Sequence, residues 1–440
     1  MKTPIPAALL HAVTERLGIA DIARATIRQS GDIARALERE TGLEFLHLEQ
    51  GIPGLPPQRI GVEAECRALQ RGVASQYPNM YGTPELGREA SRFIKAFLDV
   101  DIAPEGCVPT VGSMQGTFSV FLLCTQLDPA KDTILFIDPG FPVQRTQARV
   151  LGIRSQSFDI YEHRGARLGA KLESYLATGR IAAIVYSNPN NPAWICLTEE
   201  ELRTIGTLAE RHGAVVVEDL AYLCMDFRKP LGQPGRPPFQ ATVARYTQHC
   251  ILMLSASKIF SYAGQRIAVA AIPEALRTRS YPALEARYGM SRLGDAYVLS
   301  ILYALSSGTC HSAQHALAAM FAAATEGRMD FVADASEYAR RAQRSKELFV
   351  RHGFRIVYDR DGEEPVGDGF FYTVGYGALT SAELLGELLR YGICAISLDS
   401  TGSRQQGIRV CVSQLNRPEQ FELLDERLAA FAAAHPHEHL

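Results

Sequence analysis

The stretch CILMLSASKIFSYAGQRIA, residues 250–268, sets a lysine just after an apolar run. Residues 250–254 are apolar without alternation, which is typical of a strand that helices cover on both faces. Lys258 follows in a Ser-Ala-Ser-Lys turn, and Arg266 comes shortly after Gly264. The stretch therefore predicts a buried strand that delivers an amine and a guanidinium to one edge of a sheet.

Three more apolar runs precede this one and predict further buried strands: DTILFIDPG (132–140), IAAIVYSNP (181–189) and GAVVVEDLAY (213–222). The segment between the last two, residues 198–213, has apolar residues at helical spacing. Thr198 is its predicted N-cap, and Glu201 completes a capping box. Alternation of strand and helix predicts an α/β fold whose large domain has a mostly parallel, doubly wound sheet.

The two ends of the chain have a different pattern. Residues 5–42 and about 320–350 read as helical, and the last part alternates short strands with helices, the final one starting at Pro418. This layout predicts a smaller α+β domain that both termini build. The predicted boundaries are 1–60 for the N-terminal segment, 61–320 for the large domain and 321–440 for the C-terminal part of the small domain.

The composition excludes several classes of function. The 440 residues are 47% hydrophobic and 21% charged, with a net charge of -3 and no clustered basic patch, so nucleic acid is not an expected partner. No apolar stretch reaches membrane-spanning length, and the N-terminus makes a poor signal peptide. Nine scattered cysteines without a CxxC motif indicate reduced thiols. We therefore expect a cytoplasmic protein with no membrane partner.

Histidines alternate in the C-terminal tail, HPHEHL, at His435, His437 and His439. Such a tail could bind a metal adventitiously, but chain ends are usually frayed and solvated. We predict no metal site.

Polar side chains stand where the predicted strands end. Asn191 lies in the NPNNP segment, Asp219 and Tyr222 follow the third strand, and Lys258 follows the fourth. In open α/β sheets, ligands bind at this carboxyl edge. An earlier stretch, residues 109–123, places Gly-Ser-Met before an apolar helix, whose first amides would favour an anion.

These groups together suit pyridoxal 5′-phosphate, which has an aldehyde, a nitrogen heterocycle and a phosphate. Lys258 can form a Schiff base with the aldehyde, and a buried Asp219 can keep the ring nitrogen protonated. Arg266, serine hydroxyls and amides can hold the phosphate. Each residue alone also fits an ordinary structural role, but their joint occurrence at strand ends favours the cofactor.

From about Leu48 to Val412 the chain resembles the class I/II aminotransferases, which are fold-type I pyridoxal phosphate enzymes. The SASK segment with its following arginine resembles the family's lysine segment, EDLAY its Asp-x-x-Tyr element and NPNNP its Asn-Pro element. The resemblance implies that Lys258, Asp219 and Tyr222 are catalytic. It implies that the following residues bind the cofactor: Tyr77, Ser113, Met114, Phe141, Asn191, Asp219, Tyr222, Ser255, Ser257, Lys258 and Arg266.

Further implications concern the substrate and the partner. YPNMYGTPELG matches the family's Tyr-x4-Gly-x3-Leu, which implies a homodimer in which Tyr77 reaches the partner's cofactor. GIRVCVS places Arg409 where the family binds the substrate carboxylate, a task that suits a planar guanidinium. Gly51, in LEQGIPGLPP, would lie near the substrate.

The chain departs from the family pattern in two places. Ala193-Trp194 replaces the usual Thr-Gly after the Asn-Pro element, and Gly87 stands where an arginine is usual. Trp194 either packs against the dimer partner or the interdomain wall, or lines the substrate pocket, and we carry it as a substrate-binding candidate. Tyr81, Tyr262 and Arg292 are further candidates to contact the substrate side chain.

The resemblance implies transamination between an amino acid and a 2-keto acid. The same residues also serve pyridoxal phosphate-dependent lyases or synthases, which carry out β- or γ-elimination, substitution or cyclisation on an amino acid or S-adenosylmethionine. A cofactor-sensing regulator would need a DNA-binding module, for which the first 47 residues are too short. A Rossmann dehydrogenase would need a Gly-x-Gly-x-x-Gly after an early strand, which is absent.

Overall fold

The computed structural model describes residues 3–436. Met1, Lys2 and the two last tail histidines, His437 and His439, lie outside the described residues. Among those described, no helix is both long enough and apolar enough to span a bilayer.

The strands of the described chain are β1 (Leu46–His47), β2 (Cys107–Val111), β3 (Thr133–Asp138), β4 (Arg154–Asp159), β5 (Ile181–Ser187), β6 (Val215–Asp219), β7 (Cys250–Ser255), β8 (Ile267–Ala271), β9 (Arg355–Ile356), β10 (Arg360–Asp361), β11 (Glu364–Pro365), β12 (Phe371–Gly375), β13 (Ile393–Cys394), β14 (Ile396–Ser397) and β15 (Ile408–Cys411).

The helices are α1 (Ala7–Arg16), α2 (Ile27–Thr41), α3 (Arg59–Gln70), α4 (Pro84–Leu98), α5 (Gly112–Cys124), α6 (Pro142–Val150), α7 (Ala166–Leu176), α8 (Glu199–Arg211), α9 (Ala256–Ile259), α10 (Glu274–Arg277), α11 (Pro282–Tyr288), α12 (Leu293–Asp295), α13 (Tyr303–Ser306), α14 (His311–Thr325), α15 (Phe331–Ala335), α16 (Glu337–Arg351), α17 (Ser381–Arg390) and α18 (Pro418–Ala434). A π-helical segment, Ala296–Leu302, joins α12 to α13.

The large sheet has seven strands in the order β2-β8-β7-β6-β5-β3-β4. Only β8 runs antiparallel to its neighbours, and helices flank the sheet. Strands β3, β5, β6 and β7 are buried along their whole length, as apolar runs without alternation require. This architecture confirms the predicted α/β fold class with a mostly parallel sheet.

A second layer joins the two ends of the chain. Strands β14-β15-β12-β9 form an antiparallel sheet, and β1 pairs in parallel with β13. The backbone amide of Ile5 also donates to the carbonyl oxygen of Arg390. The N-terminal segment therefore belongs with the C-terminal α+β layer, as predicted, whereas the boundaries at residues 60 and 320 stay predictions.

Local sequence signals account for several element ends. The Thr198 hydroxyl accepts from the Glu201 amide, and the Glu201 carboxylate accepts from the Thr198 amide, which confirms the capping box of α8. Helix α2 ends at Gly42, whose left-handed φ of 69° suits glycine. The helical region expected at 320–350 is broken near Gly327, which has a φ of 70°, and α15 and α16 continue after the break.

Candidate active site

A cavity of about 630 Å³ lies at the carboxyl ends of β5, β6 and β7, where the sequence placed the reactive residues. It brings together twelve of the predicted site residues, which are Gly51, Ser113, Met114, Phe141, Asn191, Asp219, Tyr222, Ser255, Ser257, Lys258, Arg266 and Arg409.

Lys258 is at the floor of this cavity, in the short helix α9 that follows β7. Its Nζ donates to the carbonyl oxygen of Gly51 and lies 5.4 Å from the ring centre of Phe370. Burial lowers the pKa of Lys258 to about 8, and the positive charges of Arg409 and Arg266 act in the same direction. Near neutral pH, a larger fraction of this amine is therefore uncharged, and able to accept a proton, than of an ordinary lysine.

Asp219 ends β6 and is 7% exposed. Its carboxylate accepts from Gln144 Nε2 at 3.0 Å and from the Ala221 amide at 3.1 Å. Burial raises the pKa of Asp219 to about 6, although both hydrogen bonds oppose this shift. Within residues 3–436 this carboxylate has no cationic partner, so it can accept a hydrogen bond from a protonated ring nitrogen that enters the cavity.

An anion cradle forms where α5 begins. A Cβ on Gly112, whose φ is 66°, would lie 2.3 Å from Arg266 Nη2, so the close approach of the guanidinium requires glycine there. Arg266 Nη1 donates to the Ala263 carbonyl at 2.6 Å, and Ser255 Oγ accepts from the Ser257 amide at 3.2 Å. The guanidinium, the serines and the first amides of α5, beside Ser113, could hold a phosphate.

Arg409 lies in β15 and is only 1% exposed. Its Nη1 donates to Asn191 Oδ1 at 3.1 Å, and its Nη2 donates to the Glu49 carbonyl. The Nε has no partner within the described chain, and no carboxylate there pairs with the guanidinium. A buried cation without a counter-ion that also lines a cavity is a fitting site for a carboxylate ligand.

Aromatic side chains form one wall. Phe371 stacks 4.3 Å from the Arg409 guanidinium carbon, and Tyr222 meets Phe371 edge-on at 5.5 Å. Trp194 is 1% exposed and lies edge-on to Tyr222 at 5.3 Å. It does not line the cavity and packs behind the wall, which is the interior alternative that the sequence left open. A Cβ on Gly369 would be 1.9 Å from the indole, so glycine makes room for it.

Four other candidates lie outside the cavity lining. Tyr77 is 89% exposed, as a residue that reaches a partner subunit would be. Tyr81 donates to Asp295, Tyr262 donates to Glu65, and Arg292 is exposed. None of the last three contacts the cavity within the described chain.

The sequence reasoning missed one side of the cavity. Helix α2 contributes Ile27, Arg28, Asp32 and Arg35, and the segment after β1 contributes Gln50 and Ile52. The charged residues of α2 fall three and four positions apart, which puts them on one helix face. That spacing was a detectable signal, but nothing in it indicated that the face meets a cavity. Gln144, which donates to Asp219, was also missed, because nothing in the sequence around it indicated that it would contact the cavity.

The donor set fits pyridoxal 5′-phosphate. Lys258 could meet the aldehyde, Asp219 the ring nitrogen, and the cradle at Arg266 the phosphate. Asn191 and Tyr222, which both line the cavity, could hydrogen-bond the phenolic oxygen. When bound, this cofactor supplies an aldehyde that joins an amine and a ring that withdraws electrons from the neighbouring carbon.

Comparisons with known proteins agree with this chemistry. A probable aspartate/prephenate aminotransferase of Thermus aquaticus is 28% identical over 244 residues, which are 55% of this chain and 61% of that protein. The glutamate-pyruvate aminotransferase AlaC of Escherichia coli is 30% identical over 188 residues, 42% of this chain and 44% of that protein. These matches thus span less than two thirds of either relative.

Solved structures show the same fold. A double mutant of the Thermus thermophilus aspartate aminotransferase superposes with a TM-score of 0.74 at 20% identity, covering 92% of this chain and 96% of that chain. An aminotransferase from Mycobacterium tuberculosis gives a TM-score of 0.74 at 17% identity, with 93% and 96% coverage.

The sequence pattern of one family extends across most of the molecule. It matches residues 45–426, and this range contains all the predicted site residues and both the seven-stranded and the four-stranded sheet. The resemblance found in the motifs is thereby confirmed, and with it the cofactor, pyridoxal 5′-phosphate. The chain belongs to the family Aminotransferase class I and II.

Proposed function

We propose that this protein is a pyridoxal 5′-phosphate-dependent aminotransferase that moves an amino group between an amino acid and a 2-keto acid. The observation that carries the proposal is one cavity lined by three charged groups that have no counter-ion within residues 3–436: the half-buried Lys258 amine, the buried Asp219 carboxylate and the buried Arg409 guanidinium. These are the groups that a cofactor aldehyde, a ring nitrogen and a substrate carboxylate would meet.

Lys258 would carry the proton in this reaction. With a pKa of about 8, its amine is uncharged in roughly a tenth of molecules at pH 7, compared with less than about a thousandth for an ordinary lysine. Its Nζ is held at the Gly51 carbonyl, on the side of the cavity where Phe371 and Gly51 face each other. A Cβ on Gly51 would lie 3.3 Å from Phe371 and 3.9 Å from Nζ, so glycine keeps space for a substrate beside the base.

Arg409 and Asp219 would fix the substrate and the ring. The planar guanidinium, held by Asn191 and by the Glu49 carbonyl, can form a bidentate pair with an α-carboxylate. Asp219 would keep the ring nitrogen protonated, and Gln144 restrains the orientation of its carboxylate. Both charges would gain counter-ions only when cofactor and substrate are bound, which favours the loaded state.

The proposal includes a homodimer in which Tyr77 contacts the partner's cofactor. Tyr77 is 89% and Tyr303 58% exposed. The carbonyl oxygen of Gln76, next to Tyr77, lies 3.4 Å from His311 Nδ1, and Gln115 of α5 donates to Ser306 at 2.9 Å. The segments that carry these exposed aromatic side chains thus contact residues of or near α5, which supports a partner subunit at this side. Size measurement by light scattering tests the dimer.

Single-turnover spectroscopy tests the activity. The loaded protein is mixed with one amino acid at a time, and absorbance follows conversion of the cofactor from its aldehyde form to its amine form. We expect conversion, and its reversal by a 2-keto acid. Release of ammonia without the amine form would favour the elimination alternative, and no response to any amino acid would overturn the proposal.

A further inference from the structure

The segment 48–51, which follows β1 without regular secondary structure, holds two of the charged residues that face the cavity. The Glu49 carbonyl accepts from Arg409 Nη2, and the Gly51 carbonyl accepts from Lys258 Nζ. Backbone hydrogen bonds of 2.8 and 2.9 Å tie the first residue of the segment to strands β13 and β15. The position of this segment therefore bears directly on the guanidinium and the amine.

The Glu49 carboxylate is fully buried and lies outside the cavity lining. A Cβ on Gly31 would lie 3.0 Å from Glu49 Oε1, so the glycine of α2 makes room for the carboxylate. His47 Nδ1 lies 2.9 Å from the same oxygen, whereas Oε2 has no hydrogen-bond partner within residues 3–436. Because a buried carboxylate is costly without a cation, the charge on His47 decides how well Glu49 is matched.

His47 lies between two carboxylates. Its Nδ1 contacts Glu49, its Nε2 is 3.4 Å from Glu38 Oε1 on α2, and its side chain is 28% exposed. The hydrogen bond to Glu49 raises the pKa of His47 above the ordinary 6.5; partial burial opposes this shift, and the charges of both carboxylates support it. Near neutral pH, His47 therefore carries a positive charge in a larger fraction of molecules than an ordinary histidine.

The charged or titratable groups around this pair leave His47 as the one whose charge changes near neutral pH within residues 3–436. Arginines keep their charge there, and ordinary carboxylates are ionised. Burial raises the pKa of the Cys394 thiol well above its usual range, so the thiol stays neutral. Besides Arg409, the surrounding groups are Arg35 and Glu38 of α2, Cys394 of β13, Glu44 with its ion-pair partner Arg417, and Arg427 of α18.

Glu49 and Arg409 each have a buried atom without a partner in the described chain, which are Oε2 of the carboxylate and Nε of the guanidinium. Burial lowers the pKa of Arg409, and the Glu49 carboxylate is one of the groups that oppose this shift. Its charge therefore acts on the guanidinium, although the two do not pair. Once His47 is neutral, no imidazolium balances Glu49, and a guanidinium drawn towards Glu49 is less available to a ligand carboxylate.

We propose that the charged His47 side chain holds Glu49 away from Arg409, and thereby keeps the guanidinium available to the α-carboxylate of the substrate. His47 and Glu49 are then positioning residues, because neither lines the cavity. The inference rests on the proposed function, which assigns Arg409 to that carboxylate. Carboxylate binding should weaken as pH rises through the pKa of His47, where the imidazolium is lost.

Calorimetry of the loaded protein with butyrate, a carboxylate without an amino group, tests the inference between about pH 6 and about pH 8.5. In the unmodified protein, we expect the affinity to fall by roughly threefold to tenfold as His47 loses its proton. His47→Asn keeps a neutral donor near the position of Nδ1, and it should show the lower affinity already at the low-pH end.

Glu49→Gln removes the competing charge. Its butyrate affinity should not fall below that of the unmodified protein at the low-pH end, and the His47-dependent step should be absent. Lys258, with a pKa of about 8, titrates in every variant, so the step is measured as the difference from Glu49→Gln.

The double variant His47→Asn/Glu49→Gln separates this role from simple support of the fold. We expect its butyrate affinity to match that of Glu49→Gln within about twofold, because the second substitution removes the charge that the first left unbalanced. Two losses of packing would instead add. Glu44→Gln is the control, since Glu44 is 63% exposed and close to the same strand, and it should change neither the affinity nor the step. Thermal unfolding checks that each variant is folded.

Three outcomes would overturn the inference while the proposed function stands: the same step in Glu49→Gln as in the unmodified protein, additive losses in the double variant, or an equal loss in Glu44→Gln. Where His47→Asn does not fold, the step in Glu49→Gln decides alone. The second-order single-turnover rate with L-alanine gives the same ratios where butyrate binds too weakly for calorimetry. Conversion by no donor would instead overturn the proposed function, and this inference with it.

Discussion

Two groups of charged side chains in this protein differ in how their charges are matched. In the first, which we call the ion-pair network, Arg164 binds Glu201 at 2.7 Å and Asp361 at 2.9 Å, and Arg228 binds Asp361 at 2.6 Å and Asp226 at 2.7 Å. Asp361 also accepts from the Cys196 amide. Each buried charge in this network has an opposite charge in contact.

The cavity charges are arranged in the opposite way. Asp219 and Arg409 are each 7% exposed or less, and they face the cavity with hydrogen bonds but without counter-ions in the described chain. Removing a charge from water is costly unless an opposite charge replaces the water. The charges of the ion-pair network are thus satisfied within the chain, whereas the cavity keeps its charges for ligands at a cost to the empty protein.

The largest expected effect is on catalysis. Lys258→Ala removes the only amine that residues 3–436 contribute to the cavity lining, so turnover should fall by roughly 10⁴-fold or more, because proton transfer and covalent attachment are both lost. The free energy of unfolding of the cofactor-free protein should not decrease, since a buried amine with a lowered pKa is removed. Steady-state assays and urea unfolding measure the two effects. Retained turnover would refute the assignment.

The second largest effect is expected on stability, from a substitution that breaks the ion-pair network. Asp361→Asn leaves Arg164 and Arg228 without their shared partner and should lower the free energy of unfolding by about 3–5 kcal/mol. Glu364→Gln is the control, because Glu364 is 74% exposed and 3.8 Å from Arg228. It should cost less than about 1 kcal/mol. Equal effects of both variants would show that the network does not stabilise the fold as described.

Replacing a carboxylate by an amide in the cavity should have the opposite effect and raise the free energy of unfolding of the cofactor-free protein. The pKa of Asp219 in the folded protein is about 6, above its ordinary 3.8. Between these values the folded state binds more protons, so this group lowers the stability of the cofactor-free protein as pH rises from about 4 to 6, and the loss stays constant above pH 6. Asp219→Asn should therefore raise the free energy of unfolding by about 2–3 kcal/mol at pH 7, with no gain below pH 4.

The loaded protein provides the control for this variant. With cofactor bound, Asp219→Asn loses the counter-ion of the ring nitrogen, so cofactor affinity and turnover should fall. Urea unfolding at several pH values, with and without cofactor, makes the comparison. A loss of stability in the cofactor-free variant at pH 7 would contradict the view that this carboxylate is held at a cost.

The smallest effect concerns the wall behind the cavity. Trp194 Nε1 is buried without a partner within residues 3–436, so Trp194→Phe removes an unsatisfied donor while it keeps an aromatic ring against Tyr222. The lost indole volume opposes this gain, and we expect a net change within about 1.5 kcal/mol. Thermal unfolding measures it. Trp194 is also the only tryptophan, so cofactor binding should quench the protein's fluorescence, and the variant should lose this signal.

The two sides of the cavity show how far the sequence could predict the site. Lys258 and Asp219 follow long apolar strands, and the order of parallel strands brings strand ends to one edge. Their proximity therefore followed from local patterns. The capping box of α8 was likewise predictable, because its two residues lie three positions apart.

Contacts that depend on distant segments could not be predicted in this way. Arg28 and Arg35 meet the cavity because α2 packs on Glu49 and Gln50, which are far from it along the chain. Asp361 completes the ion-pair network from a hairpin that is far along the chain from Arg164. Trp194 could equally have faced the pocket, and the space made by Gly369 places it behind the wall.

Chemical trapping tests the central claim most directly. The protein loaded with pyridoxal 5′-phosphate is treated with borohydride and digested, and mass spectrometry locates the reduced cofactor. The account predicts that the label lies on Lys258, and that Asp219→Asn weakens loading without moving it. A label on another lysine, or no stable label under saturating cofactor, would contradict the account.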